Sequence, residues 1–372
     1  MARQNRRDIF DANEVTVLHC CQRAVRRAWI CGIDPLTGLS FEHRKVWIQN
    51  RLQELARIFG VDCLSFSVMS NHLHVILRNR PDVVKTWSDD EVARRWWLLF
   101  PKRRNEDGTA AEPKDFEMKA YATKAKVYRV RLADISWWMR ALAEPIARAA
   151  NLEDDCRGRF WQGRFSSQKL TDEMAILACS AYVDLNPVRA GVAATPESSQ
   201  YTSAYERIES DREEQAAAKP TSQSGKKRMN RAARRRAERV ERKEERRRRD
   251  AWLSPITIDE RASSYTRAMP SQNGCRASDK GFLAMTLQSY LQLLDWTGRQ
   301  LRRDGKRGRI PIELEPILQR IGMSSELWCE VVSRFGKIFQ RAAGRPSSLA
   351  EAATARGQRW YQTHSSPVPD AS

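Results

Sequence analysis

Two β-rich runs, Cys63 to Val68 and His72 to Arg78, are separated only by Met69-Ser70-Asn71. So short a polar connection closes as a hairpin. The hairpin lies inside a longer stretch, about residues 10 to 205, where short β-like runs alternate with amphipathic helical ones, the pattern of a mixed domain. Val15 to Ala28 opens as a strand, with Val15, Val17 and His19 on one face, and then turns basic. Gly32 to Ser40 is a loop, and Phe41 to Phe59 has apolar positions at helical spacing with Gly60 as its stop. Residues 82–152 read as helical around a polar loop at Asn105-Glu106-Asp107-Gly108, with Ile135, Trp138, Met139 and Leu142 forming a stripe. Gly158 to Leu170 is expected as a strand and Thr171 to Leu185 as a helix that Asn186-Pro187 ends.

The rest of the chain divides by composition. From Glu206 the sequence turns polar and then intensely basic. Lys226 to Arg249 carries 14 Lys and Arg against 4 Glu, which is +10 of the whole chain's +19. Such a run makes an exposed helix or a disordered arm, not a core element. Periodic apolar positions return past residue 280: Leu287, Tyr290, Leu291 and Leu294, then Ile317, Leu318 and Ile321, then Trp328, Val331, Val332 and Phe335. The expected division is a mixed domain at 10–205, a polar and basic linker at 206–279, a small helical region at 280–348 and a disordered tail at 349–372. No apolar stretch approaches the ~20 residues of a bilayer span, and the N-terminus lacks the apolar core of a secretory signal. Eight cysteines in 372 residues fit a reducing, cytoplasmic compartment better than a disulfide scaffold. The positive surplus points to nucleic acid as partner.

Chemistry concentrates in two places. His72-Leu73-His74 places two of the five histidines at i and i+2 of a strand, so both imidazoles reach one side. Two neutral imidazoles suit a divalent ion, and oxygen ligands completing the shell would favour Mg²⁺ or Mn²⁺; the alternative is a pair of ordinary strand histidines. On the helix expected at Thr171 to Leu185, Tyr182 has Asn186 at i+4, on the same face. In a basic protein with a metal-capable pair, a tyrosine there suggests a phosphodiester nucleophile; the alternative is a half-buried structural tyrosine.

These segments resemble a known family. His72-Leu73-His74 looks like the HUH motif, two histidines around a hydrophobic residue. Tyr182-Val183-Asp184-Leu185-Asn186-Pro187-Val188-Arg189-Ala190-Gly191 is similar to the tyrosine helix of REP-associated tyrosine transposases, relatives of the single-tyrosine HUH transposases of insertion sequences. Phe160-Trp161-Gln162-Gly163-Arg164-Phe165 fits the same group, and the resemblance spans roughly residues 10 to 200. It implies an α+β fold with a ferredoxin-like antiparallel sheet of four or five strands. It further implies that His72, His74 and Asn186 ligate the metal. Tyr182 would attack single-stranded, hairpin-forming DNA to give a 5′-phosphotyrosine and a free 3′-hydroxyl. The partner would be single-stranded or hairpin DNA and the place the bacterial cytoplasm at the nucleoid; both monomers and homodimers occur among such enzymes. Two other readings compete: a domesticated, sequence-specific DNA-binding protein that no longer cuts, and a helix-turn-helix regulator carried by the C-terminal region.

Candidate DNA contacts are Arg23, Arg26 and Arg27 after the first strand, then Arg159, Gln162, Arg164 and Lys169 interleaved with aromatics, and Arg189 beyond the tyrosine. The twelve tryptophans are expected mainly as packing. Tyr201 and Tyr205 follow the Asn-Pro break and are read as structural. His19-Cys20-Cys21 lacks a second close pair for zinc and is read as a buried strand. His43 is expected to be exposed, and His364 to lie in the tail.

Overall fold

The computed structural model describes residues 11–25, 29–217, 248–258, 268–301, 311, 313–358, 361 and 368–370. Arg26, Arg27, His364 and the basic run short of Arg248 lie outside the described residues.

Five strands form one sheet: β1 Val17–Arg23, β2 Val61–Val68, β3 His72–Asn79, β4 Ser166–Leu170 and β5 Ala342–Ala343, in the order β2-β3-β1-β4-β5. The first four pair antiparallel. Against the expectation of a wholly antiparallel sheet, β5 pairs parallel to β4. It arrives from the distant C-terminal region, and no hairpin constrains its direction. The helices are α1 Arg44–Ile58, α2 Pro81–Val84, α3 Asp89–Leu99, α4 Asp115–Ala122, α5 Ala125–Leu132, α6 Ile135–Glu153, α7 Glu173–Asp184, α8 Asn186–Arg189, α9 Ser203–Ala217, α10 Leu287–Leu301, α11 Glu315–Arg320, α12 Ser325–Ile338 and α13 Pro346–Thr354.

Strand alternation divides the molecule into two layers. Leu18 and Cys20 of β1, Phe66 and Val68 of β2, and Leu73, Val75 and Leu77 of β3 face α1 and α6 in one core. Val17, Leu64, Ile76 and Leu170 face α7, α8, α10, α11 and α12 in the other. The C-terminal helices therefore bury the outer side of the tyrosine helix, with Trp328, Val331, Val332 and Phe335 fully enclosed.

Local chemistry accounts for the boundaries. Only Ser166–Leu170 of the expected 158–170 strand pairs as a ladder, because Gly158 at φ +142° and the aromatic pair Phe160-Trp161 hold the preceding residues as a loop. Asp172, rather than Thr171, caps α7, accepting from the amide of Ala175 at 2.8 Å. Pro145 inside α6 cannot donate to Ala141, and the Ala141 carbonyl instead accepts from Arg51 Nε at 3.0 Å, tying α1 to α6. Residues 206–217, placed by sequence in the linker, continue α9, where Glu206 and Arg207 are buried. The helix α13 likewise runs past residue 348. Tryptophan packing follows expectation: Trp96 stacks on Tyr128 at 4.5 Å, and Trp97, Trp138 and Trp328 are buried. Among the described residues no helix is long and apolar enough to cross a membrane.

Candidate active site

The face of the sheet under α7 changes character along its length. Register pairs Val17 of β1 with Arg78 of β3 and Leu170 of β4, His19 with Ile76 and Gln168, Cys21 with His74 and Ser166, and Arg23 with His72. The first rung holds a buried guanidinium, Arg78, with the apolar Val17 and Leu170, the middle carries imidazoles, and the far end is basic and open. Tyr182 on α7 comes down on the middle.

Its ring lies 5.6 Å from that of His74 and 6.1 Å from that of His19, edge-on in both cases. His72 and His74 are 4.8 Å apart between ring centroids. The Arg189 guanidinium sits 4.5 Å above the Tyr182 ring and donates to the Ser333 carbonyl at 2.6 Å. Phe335 of α12 closes the other side at 5.7 Å. Gly336 allows the close approach, since a Cβ there would stand 3.3 Å from the Tyr182 hydroxyl. Asn186 begins α8, is 8% exposed, and its amide nitrogen is buried without a partner.

Burial dominates the electrostatics. It depresses His19 to about 4, and it depresses His72 to about 4 with help from the charge of Arg23. His74 is held well below its ordinary range by burial, then by His19, His72 and Arg189. All three rings are neutral at physiological pH. Burial raises Tyr182, and Arg189 opposes that shift. The ground state is a phenol, with a cation positioned to favour the phenolate.

The histidines of His72-Leu73-His74 fit a divalent cation. Both are neutral, and each has its Nδ1 engaged by an outer group, as metal-bound histidines do. His72 Nδ1 meets Asn71 Oδ1 at 2.7 Å and His74 Nδ1 meets His19 Nε2 at 2.8 Å, so Nε2 is the nitrogen each ring has left for a ligand. Among the described residues no group of three His, Cys, Asp or Glu side chains forms a metal cluster. Further ligands would have to be carboxamide, hydroxyl, phosphate or water oxygens, and Asn186 is a candidate.

The expected DNA contacts separate. Arg23, Gln162 and Arg164 line one cavity of about 300 Å³ together with Cys21, Gly163 and Ser166. Because Arg23 pairs with His72 in register, this basic notch adjoins the histidines. A larger cavity of about 730 Å³ shares Gly163 and Arg164 and continues along α6 past Trp137 and Trp161. Arg159 is exposed in the preceding loop and lines neither. Lys169 alternates to the opposite face of β4, near Arg356 and Glu14, where burial lowers its pKa. Arg189 is turned onto Tyr182 instead of outward. Tyr201 and Tyr205 lie under Lys45 and Arg249, respectively.

His19 is the member of the constellation that sequence reasoning missed. Its signal was the alternation that put it on one face with Val17, but its partner is known only once β1 and β3 are paired. Cys20 belongs to the other core and Cys21 to the notch, so the three-residue run does not act as a unit.

These buried histidines predict acid lability of the metal-free protein. Above about pH 6.5, their ordinary value, native and unfolded rings are both neutral and stability is at its plateau. As pH falls from there toward about 4, the unfolded chain takes up protons that the native rings refuse. Stability should then drop by up to roughly 1.4 kcal/mol per pH unit for each ring. Urea midpoints across that window test this, and the slope should be shallower in His19→Gln.

No protein-family model matches the chain, and no curated protein matches it. Among solved structures, that of a REP-associated tyrosine transposase bound to a REP hairpin is weakly similar, with a TM-score of 0.33 and 12% sequence identity over 62% of this chain and 96% of that one.

Proposed function

We propose that this chain is a metal-dependent endonuclease and strand transferase for single-stranded, hairpin-forming DNA, working through a 5′-phosphotyrosine. One observation carries the reading: Tyr182, more than a hundred residues downstream of the histidine pair, lies with its ring 5.6 Å from His74, whose register partner Cys21 lines a basic notch. The strand order β2-β3-β1-β4, all antiparallel, with α1 crossing between β1 and β2, supports a ferredoxin-like core of the kind the HUH resemblance implies.

In this reading the basic notch of Arg23, Gln162 and Arg164 holds the DNA backbone. His72 and His74, with Asn186, would hold Mg²⁺ or Mn²⁺, which supplies polarisation of the phosphate and neutralises developing charge. Arg189 favours loss of the phenolic proton by offering its cation to the ring. The Tyr182 oxygen then bonds to phosphorus, the bond from phosphorus to the 3′ oxygen breaks, and that oxygen leaves as a hydroxyl after protonation. The phosphodiester energy stays in the covalent link, so a 3′-hydroxyl can reverse the step.

A second reading, binding without cutting, is favoured by the cover over Tyr182: Phe335 and Gly336 press on it while Arg189 is tied to Ser333. Incubating the full chain with labelled hairpin DNA and Mn²⁺ separates the two. A denaturant-resistant protein–DNA adduct is expected; binding with no adduct on any hairpin would favour the second reading.

A further inference from the structure

Three adjacent strands carry a buried polar chain that ends at the HUH motif. Gln168 on β4 and His19 on β1 are direct register partners, and Gln168 Oε1 lies 3.4 Å from His19 Nδ1. His19 Nε2 lies 2.8 Å from Nδ1 of His74 on β3, with the two rings stacked at 17°. Exposure is only 6% for Gln168, 8% for His19 and 5% for His74, so water does not compete for these atoms.

Between two neutral imidazoles there is one proton for the contact, and the chain can be arranged in two ways. If His19 Nε2 carried it, the His19 Nδ1 lone pair would face the Gln168 carbonyl oxygen, two acceptors together in a buried site. If His74 Nδ1 carries it, His19 Nε2 accepts, His19 Nδ1 is protonated, and it donates to Gln168 Oε1. Only the second arrangement satisfies both contacts as they stand. It also matches His72, whose Nδ1 must donate because Asn71 Oδ1 can only accept.

We propose that Gln168 and His19 are positioning residues that lock His74 in the Nδ1–H form, so that both HUH histidines present an Nε2 lone pair. Neither residue touches the reacting atoms. This deepens the proposed function and takes from it only that Nε2 is the working nitrogen of each ring.

The tautomer can be read without DNA or metal, by long-range ¹H–¹⁵N correlation on ¹⁵N-histidine-labelled full chain near neutral pH. Free histidine favours Nε2–H, so an Nδ1–H form at His74 is a distinct signature. His19→Gln, which keeps an acceptor oxygen near the position of Nε2, should retain that form and the affinity for Mn²⁺ measured by electron paramagnetic resonance. His19→Leu, similar in bulk but without an acceptor, should release His74 toward Nε2–H and weaken Mn²⁺ binding about 10–100-fold. Should His19→Leu fail to fold, Gln168→Leu replaces it, and a mixed His74 tautomer is expected there. An Nε2–H form in the wild type, or an unchanged tautomer in the folded leucine variant, overturns the proposal. Failure of the wild type to cut DNA would instead reject the functional reading and leave the tautomer result standing.

Discussion

Tyr182→Phe is expected to abolish covalent capture of DNA and leave hairpin binding unchanged. Phenylalanine keeps the ring, and with it the edge-on contacts to His74 and His19, the packing against Phe335 and the cation above it on Arg189. Only the oxygen that would bond to phosphorus is lost. Binding should persist because the phosphate contacts proposed for the notch would not involve that oxygen. Of the two tyrosines that follow it most closely in sequence, Tyr201 packs with the opposite core and Tyr205 lies beneath Arg249. The adduct is read by denaturing gel and the binding by gel shift at fixed salt. An adduct that survives the substitution would move the nucleophile elsewhere.

Asp62→Ala should produce the largest loss of stability, about 3–5 kcal/mol. Asp62 is fully buried on β2, and its Oδ2 accepts from Arg78 Nε at 3.0 Å and Nη2 at 2.8 Å and from Ser278 Oγ at 2.7 Å. Arg80 Nη1 is 3.4 Å away, and Oδ1 accepts from the Ser278 amide at 2.9 Å. Alanine would leave the buried Arg78 guanidinium without its carboxylate and remove both Ser278 contacts to β2, while Arg80 keeps its bidentate pair with Asp82. Urea unfolding near neutral pH gives the loss directly, with Asp62→Asn expected between the two. A loss well under 1 kcal/mol would mean that the carbonyls of Lys280 and Gly281, which already accept from Arg78, suffice for that cation.

What could be read from the sequence was what neighbouring residues decide. Cys63 to Val68 and His72 to Arg78 announced their hairpin through a three-residue connection, and in the fold each strand is longer by at most two residues. The helix with Tyr182 was legible from its apolar content and its acidic start. Contacts between distant segments were not. Nothing near His19 shows that it will lie beside His74, because that depends on the β1–β3 register. Nothing near Arg189 shows that Ser333 will hold it. The run from Gly158 to Leu170 looked like one strand because aromatic and basic residues alternate there, yet its first half turns on glycines to shape the notch. The C-terminal apolar stripes were visible, but the surface they cover, the outer side of α7, was not.

The fifth strand sets the order of events during synthesis. Lys169 pairs with Ala342, so the free edge of β4 waits for chain made 173 residues later. At the ribosome's usual pace of about 5–20 residues per second, that interval is roughly 9–35 s. For that time the nascent protein holds an open sheet edge and an α7 whose outer face lacks Trp328 and Phe335. Folding of the candidate site is therefore a late, long-range step, and a chain interrupted before Ala343 would present both surfaces to its neighbours on the polysome.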